Sequence, residues 1–288
     1  MTPFFITVLC RYGTALMPML IFGACLMREF GNLPQSARTM TWQRWATVAG
    51  LLCVVALLPL QAINISGDPQ AFRDPHLLWQ VATLTSYGQV WIAKCLLALL
   101  LSAGTWCSLR NAPLASLACG VLIATGLSGH AAMDAGTIGL LHMANNVIHI
   151  LCAAFWLGAL IVVLPLLRRA PSSHAHGHGH AGHALARFSW AGHWAVAGVM
   201  LTGAINTWLI LRDANLSIQS PYQCLLALKI LLALLMTALA LANRYYWVPR
   251  LSHNAHAIVW LRRQAAVALI SGLVAVALVS LLGMLSPD

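Results

Sequence analysis

Charged side chains are scarce in this sequence, and acidic ones are the scarcest. Of its 288 residues only 8% are charged, just 6 are Asp or Glu, and 60% are apolar. Soluble domains carry about 25% charged and about 45–50% apolar residues. The shortage of charge excludes soluble globular proteins, soluble enzymes and disordered chains, and it favours an integral membrane protein. In such a protein the net charge of +10 indicates basic loops that set the orientation in the membrane. We therefore expect no nucleic acid as a partner.

Several familiar motifs are also missing. The eight cysteines form no Cys-x-x-Cys pair, and all but Cys224 lie well inside apolar runs, so we interpret them as small buried thiols and not as a disulfide framework. The sequence has no phosphate-binding loop, which argues against an ATP-driven pump. No pair of acidic residues lies within an apolar run, which argues against a proton relay of the Asp/Glu type. We therefore expect a membrane protein that is not an enzyme.

Long apolar runs dominate the chain, and about 20 apolar residues suffice for a helix to cross a bilayer. The sequence predicts an all-α, polytopic membrane helix bundle of about eight transmembrane helices in a single membrane domain. The predicted spans are roughly 4–27, 45–65, 88–109, 113–133, 140–167, 188–211, 223–246 and 264–285. We interpret the first span as a retained helix, because no basic residue precedes it and it has no clear small-residue cleavage site.

Basic residues are distributed unevenly between the predicted loops. Eleven lie in the odd-numbered loops, whereas the even-numbered loops contain only Arg73 and Arg212. Cytoplasmic loops of membrane proteins carry the excess of Lys and Arg. We therefore expect both termini to lie outside, which is the periplasmic side if the membrane is the inner membrane of a Gram-negative bacterium.

A faint internal repeat has an offset of 135 residues. It aligns Tyr87 and Lys94 with Tyr222 and Lys229. The same offset sets Phe22-Gly23-Ala24 against Leu157-Gly158-Ala159, Arg11 against Asn146, and Thr14 against His149. Four helices in each half would make a parallel 4+4 repeat of the kind that some transporters have. Chance similarity between apolar helices is the alternative.

Four polar residues interrupt the fifth span at helical spacing: His142, Asn145, Asn146 and His149. Their intervals of three, four and seven residues place them on one helix face. A polar face against lipid is unfavourable, so this face should point to the bundle interior or to a water-filled cavity. One interpretation is a structural hydrogen-bonded network, since Asn and His join membrane helices. The other is a metal or haem site.

Further candidate metal ligands lie close to this stripe. The fourth span ends near His130, with Met133 just beyond it, and Met143 follows the first histidine of the stripe. At about 1.5 Å per residue, His149 should lie about 10 Å deeper than His142, so that the three histidines can converge in the outer half of the membrane. Imidazole suits copper and zinc, and a thioether selects Cu(I).

Other polar residues lie elsewhere in the spans. His193, near the inner end of the sixth span, is either a separate inner site or a structural histidine. Trp156 lies deep in the fifth span and should face the bundle interior, because its indole N–H needs a partner. The basic residues Arg11, Lys94 and Lys229 lie in the outer third of their spans. They either reach to the outer interface or form an electropositive rim that binds an anion or an acidic partner.

A histidine-rich tract separates the fifth and sixth spans, in the predicted cytoplasmic loop 170–186. Only Ala and Gly lie between its five histidines, which are His174, His176, His178, His180 and His183. This composition cannot form a packed core and is typical of a flexible metal-binding tract. A dispensable low-complexity linker is the alternative.

The run from Leu141 to Gly158 resembles the signature helix of the bacterial copper-resistance protein D family, and two runs of the sixth span, 187–193 and 202–206, are similar to it as well. The resemblance covers most of the chain. It implies an eight-helix inner-membrane protein of copper homeostasis, usually thought to move copper inward, with a small periplasmic copper-binding protein of the CopC type as its usual partner. The residues that match the family pattern by position are Arg11, His130, His142, Asn146, His149, Trp156 and His193. The histidine tract departs from the family, so the resemblance implies no role for it.

Three hypotheses follow. In the first, copper as Cu(I) or Cu(II) binds the outer histidines, with Met133 or Met143 as a further ligand, and passes His193 and the histidine tract to the cytoplasm. In the second, the chain is an intramembrane haem protein of the cytochrome b kind, in which paired histidines ligate iron and the basic residues hold the propionates. In the third, a non-transporting assembly or sensor factor holds copper for another protein.

Overall fold

The computed structural model describes residues 2–128, 136–169, 180–212, 219–250 and 256–285. Nine α-helices make up most of these ranges, which contain no strand. They are α1 (Thr2–Gly31), α2 (Ala37–Ser66), α3 (Pro75–Leu84), α4 (Ser86–Trp106), α5 (Asn111–Gly126), α6 (Gly136–Arg169), α7 (His180–Leu211), α8 (Pro221–Ala242) and α9 (Ala257–Leu282). A π-helical turn at Asn243–Trp247 and a 3-10 turn at Val248–Arg250 extend α8.

The predicted all-helical membrane bundle is confirmed. Seven of the helices in the described ranges are long and apolar enough to cross a membrane, namely α1, α2, α4, α6, α7, α9 and α8 with its extension. The predicted span 113–133 corresponds to α5, which is apolar but ends at Gly126. The residues that follow, 129–135, lie outside the described ranges.

Several helices extend beyond the apolar runs that predict them. α2 begins at Ala37 instead of residue 45, because the Ser36 side chain accepts the N–H of Thr39 and caps the helix. α7 begins at His180 instead of 188, so the prediction of a flexible loop over 170–186 is wrong for the last part of the histidine tract. The Ala and Leu residues that follow His180 favour a helix. Hydropathy marks the hydrocarbon core, whereas capping and local propensity set where a helix ends.

The short helix α3 lies between the second and third predicted spans, where hydropathy indicates no helix. The Asp74 carboxylate accepts the backbone N–H groups of His76 at 2.9 Å and Leu77 at 3.1 Å, and Pro75 occupies the first helical position. An Asp cap followed by proline is a strong helix start. With 10 residues, α3 is too short to cross a bilayer.

α1 and α6 cross at the centre of the bundle, and their backbones touch at Gly23 and Gly158. A Cβ atom on either glycine would lie 2.7 Å from the Cα of the other. Small residues allow membrane helices to approach this closely. The two glycines are also equivalent under the 135-residue offset, and a reciprocal contact between equivalent positions is what a two-fold axis between repeats requires. The duplication itself remains a prediction.

Two ring donors attach α4 to α2. The indole Nε1 of Trp91 donates to the backbone oxygen of Val54 at 2.7 Å, and the Tyr87 hydroxyl donates to that of Leu57 at 3.3 Å. Both acceptors lie close to Pro59, where α2 lacks a backbone donor. These bonds hold α4 beside α2.

Large apolar side chains cover the outside of the bundle. Leu9, Leu52, Leu201 and Leu231 are each more than 60% exposed, on four different helices. Such a surface is unfavourable in water over a large area, and it matches the hydrocarbon of a bilayer. In contrast, the polar side chains of Thr7, Gln43 and Thr202 on the same helices are buried.

Candidate metal site

The polar stripe of α6 faces its neighbouring helices. His142 is only 2% exposed, and Asn145, Asn146 and His149 are half-buried. Their hydrogen-bond partners lie on α7 and at the C-terminal end of α5. The stripe therefore lies where three helices meet.

The two asparagines connect these three helices. Asn145 Nδ2 donates to the backbone oxygen of Thr202 at 2.9 Å and to Asn206 Oδ1 at 2.7 Å. Asn146 Nδ2 donates to the backbone oxygen of Gly126 at 3.0 Å, and its Oδ1 accepts from Asn206 at 3.5 Å. These hydrogen bonds fix the positions of α5 and α7 relative to α6. The Nδ2 groups of both asparagines are therefore already hydrogen-bonded to neighbouring helices.

The proton positions on His149 follow from its neighbours. Its Nδ1 lies 3.0 Å from the hydroxyl oxygen of Thr202, and this hydroxyl donates its own proton to the backbone oxygen of Gly198. The Thr202 oxygen must therefore accept, so that Nδ1 of His149 carries the proton. Nε2 then presents a lone pair. A histidine that donates through one nitrogen and is held in place is the usual form of a metal ligand.

Small residues make room for this ring. A Cβ atom on Gly203 would lie 3.3 Å from Cε1 of His149, closer than most such contacts. On α5, a Cβ atom on Gly126 would lie 2.6 Å from a methyl group of Val147. The two glycines let α7 and the end of α5 approach α6.

The basic residues of the spans lie close to this region and to α1. Lys94 is 8% exposed and its Nζ donates to the Ser128 hydroxyl at 3.0 Å, so its charge is inside the bundle. Arg11 is half-buried, lies against Gly283 at the end of α9, and interacts electrostatically with Lys94. Lys229 interacts electrostatically with His149. Positive charge therefore lies close to the end of α5 and close to His149.

His193 occupies a separate position on α7. Its Nδ1 lies 2.7 Å from the backbone oxygen of Ser189, which can only accept, so Nδ1 carries the proton. Nε2 is buried and has no hydrogen-bond partner in the described part of the chain. The ring also packs edge-on against Tyr245 at 5.9 Å. Nine residues separate His193 from Thr202, or about 14 Å along the helix, so His193 and His149 cannot share one ion.

The remaining predicted ligands are not brought together by the described residues. Met143 is half-buried on α6, and Trp156 is 6% exposed in the core beside α1. Among the described residues, no three His, Cys, Asp or Glu side chains form a group that could hold a metal ion. Other predicted ligands lie outside the described residues, or their side chains do; these are His130, Met133, His174, His176, His178, His180 and His183.

Two residues of this cluster were not predicted as site residues, Thr202 and Asn206. They lie four residues apart on one face of a mostly apolar span, which is the same signal that identifies the α6 stripe. Their role depends on α7 packing against α6, and hydropathy does not specify which helices are neighbours.

Comparison with known proteins gives concordant matches. The family model of the copper resistance protein D-like N-terminal domain matches residues 1–140, and that of copper resistance protein D matches residues 182–282. The chain is 32% identical over 253 residues to the inner membrane protein YebZ of Escherichia coli (strain K12), covering 87% of this chain and 86% of that protein. It is 30% identical over 254 residues to copper resistance protein D of Pseudomonas syringae pv. tomato, covering 83% and 81%. No solved structure matches the chain.

Proposed function

Because the chain belongs to the copper resistance protein D family and is a multi-pass inner-membrane protein, we propose that it binds copper at the α6–α7 histidines and passes it from the periplasm to the cytoplasm. The observation that carries this proposal is the state of His149. Its Nδ1 proton is committed to Thr202 and its Nε2 lone pair is left for a ligand.

A possible route runs along the α6–α7 interface. His142 and His149 lie one above the other on α6, about 10 Å apart, and His193 lies about 14 Å further along α7. His149 and His193 each present an Nε2 lone pair, as copper coordination by imidazole requires. His130, Met133 and Met143 are the proposed additional ligands at the periplasmic end. The histidine tract is the proposed acceptor at the cytoplasmic end.

The amide network holds the helices around the proposed site in position. Asn145 and Asn146 bind neighbouring helices and not the ion, so they hold α5, α6 and α7 at a fixed separation around the histidines. Asn146 is therefore a positioning residue in this proposal, although the sequence predicts it as a ligand. A periplasmic copper-binding protein of the CopC type is the proposed donor of the metal.

The test compares copper binding by the purified chain with that of a His142→Ala/His149→Ala variant. In every sample the five histidines of the tract are replaced by alanine, because that tract binds metal by itself. The variant should lose the nitrogen-bound copper that X-ray absorption detects in the parent protein. The control is His76→Ala/His256→Ala, which removes two exposed histidines that do not belong to the α6 stripe and should leave binding unchanged.

The other outcomes are equally informative. Equal copper binding by both proteins would overturn the proposal and leave the stripe as a structural network. A Soret band in the purified parent protein would replace copper with haem. If copper binds but does not enter proteoliposomes that contain the protein, the transport part of the proposal is wrong and a holding role replaces it.

A further inference from the structure

Two free thiols meet where α1 and α2 cross. Cys10 is 8% exposed and lies on α1 three residues before Gly13, where its thiol interacts with that of Cys53. The sulfur of Cys53 also rests on the backbone of α1, because a Cβ atom on Gly13 would lie only 2.5 Å from it. The missing side chain at Gly13 thus gives the Cys53 thiol its place beside Cys10.

A small pocket lies further along α1, between this helix and α2. Thr14, Met17 and Pro18 line it from α1, and Thr47 and Gly50 line it from α2. The Thr14 hydroxyl is buried and has no hydrogen-bond partner among the described residues. Pro18 has no N–H, so the carbonyl of Thr14 lacks its helical donor as well. Polar groups in this state are unfavourable within a membrane unless a ligand or water satisfies them.

We propose that Cys10 and Cys53 form a second copper site, which binds Cu(I) between two thiolates in the N-terminal half of the bundle. The inference rests on the proposed copper function and extends it to residues outside the histidine cluster. Thiolates are soft ligands that select Cu(I). Two S–H bonds break, two S–Cu bonds form and two protons leave. No electron is transferred, since the metal arrives as Cu(I).

The charges nearby suit such a complex. Cu(I) bound by two thiolates has one net negative charge, which is unfavourable in a bilayer without a compensating cation. Arg11 follows Cys10 directly in α1, and the buried Lys94 interacts electrostatically with Arg11. Neighbouring cations stabilise thiolates over thiols. In the proposed complex, Arg11 and Lys94 are the cations that would compensate this negative charge.

The chain contains a matched control for packing. Cys152 of α6 rests on Gly198 of α7 in the same manner, since a Cβ atom on Gly198 would lie 2.6 Å from the Cys152 sulfur. However, α7 contains no cysteine. The Cys152→Ser variant therefore removes a sulfur packed on glycine without removing a pair of thiols.

The test loads the purified full-length chain with Cu(I) from a chelator buffer without oxygen, again with the tract histidines replaced by alanine. The Cys10→Ser/Cys53→Ser variant should lose about one copper ion per chain together with the copper–sulfur signal in X-ray absorption. Cys152→Ser should retain both. His142→Ala/His149→Ala should retain the sulfur-bound ion. Sulfur-bound copper that persists in the Cys10→Ser/Cys53→Ser variant would overturn the inference, whatever the histidine variant shows.

A second measurement needs no cysteine substitution, so its result does not depend on whether a cysteine variant folds. Alkylation of each cysteine in the otherwise unaltered chain is followed by mass spectrometry with and without Cu(I). With free Cu(I) at about ten times the dissociation constant, Cys10 and Cys53 should react about tenfold more slowly. Cys152 should react at the same rate in both samples. Equal rates at Cys10 and Cys53, or a disulfide between them in the protein as purified, would overturn the proposed site.

Discussion

The two halves of the bundle differ in their polar chemistry. In the N-terminal half, α1 presents Cys10 and Arg11 to α2 and α4; in the C-terminal half, α6 presents His149 and its asparagines to α5 and α7. A lysine lies in the third predicted span of each half, Lys94 on α4 and Lys229 on α8. The comparison shows that one of the two crossing helices, α1, places thiols and cations among its neighbours, whereas the other, α6, places imidazoles and amides.

The largest expected effect comes from breaking the contact that joins the halves. Gly23→Leu should prevent formation of the bundle, because even a Cβ atom there would lie 2.7 Å from the Cα of Gly158. Overpacking of a tight core typically destabilises by about 1–3 kcal/mol and by more when backbone must move. The yield of monodisperse protein and its thermal unfolding in detergent measure the effect.

The control for this prediction is Gly192→Ala, where the nearest atom would be 3.9 Å from the new Cβ. This variant should behave like the parent protein. Normal yield and stability of Gly23→Leu would contradict the structure at the α1–α6 crossing.

A smaller effect is expected where the C-terminal half orients its imidazole. Thr202→Val keeps the shape of the side chain but removes the oxygen that accepts the Nδ1 proton of His149. Loss of such a supporting hydrogen bond typically weakens metal binding about 10–100-fold. Copper titration of the tract-substituted chain measures this. Thr202→Ser should restore most of the affinity, and a wild-type affinity in Thr202→Val would exclude His149 as an oriented ligand.

The smallest effect should come from the amides. Asn145 and Asn206 share a hydrogen bond of 2.7 Å across α6 and α7. Hydrogen bonds between membrane helices contribute about 0.6 kcal/mol on average and up to about 1.7 kcal/mol. A double-mutant cycle with Asn145→Ala and Asn206→Ala should give a coupling energy in this range in unfolding experiments. A coupling near zero would show that the bond does not hold the helices together.

Hydropathy and residue spacing predict much of the fold. Lipid requires long apolar helices, and the stripe from His142 to His149 is visible because polar residues are so rare within these helices. The start of α7 at His180, the end of α5 at Gly126 and the helix α3 do not follow from hydropathy, because helix caps and local propensity determine them.

The candidate site was predictable only in part. The sequence identifies which α6 residues face inward, but not that Thr202 receives the proton of His149 or that Asn146 binds the carbonyl of Gly126. Those contacts depend on which helices are neighbours. Likewise, Cys10 and Cys53 appear in the sequence as two unrelated buried thiols, and only the crossing of α1 with α2 makes them a pair. The periplasmic ligands His130 and Met133 remain predictions.

The backbone contact between Gly23 and Gly158 has a consequence for motion. Where two helices touch through their backbones, no side chain is present that could change rotamer and let them move closer together. The distance between the two helices at this point is therefore set by the backbone alone, and any movement of α1 relative to α6 would have to keep that distance.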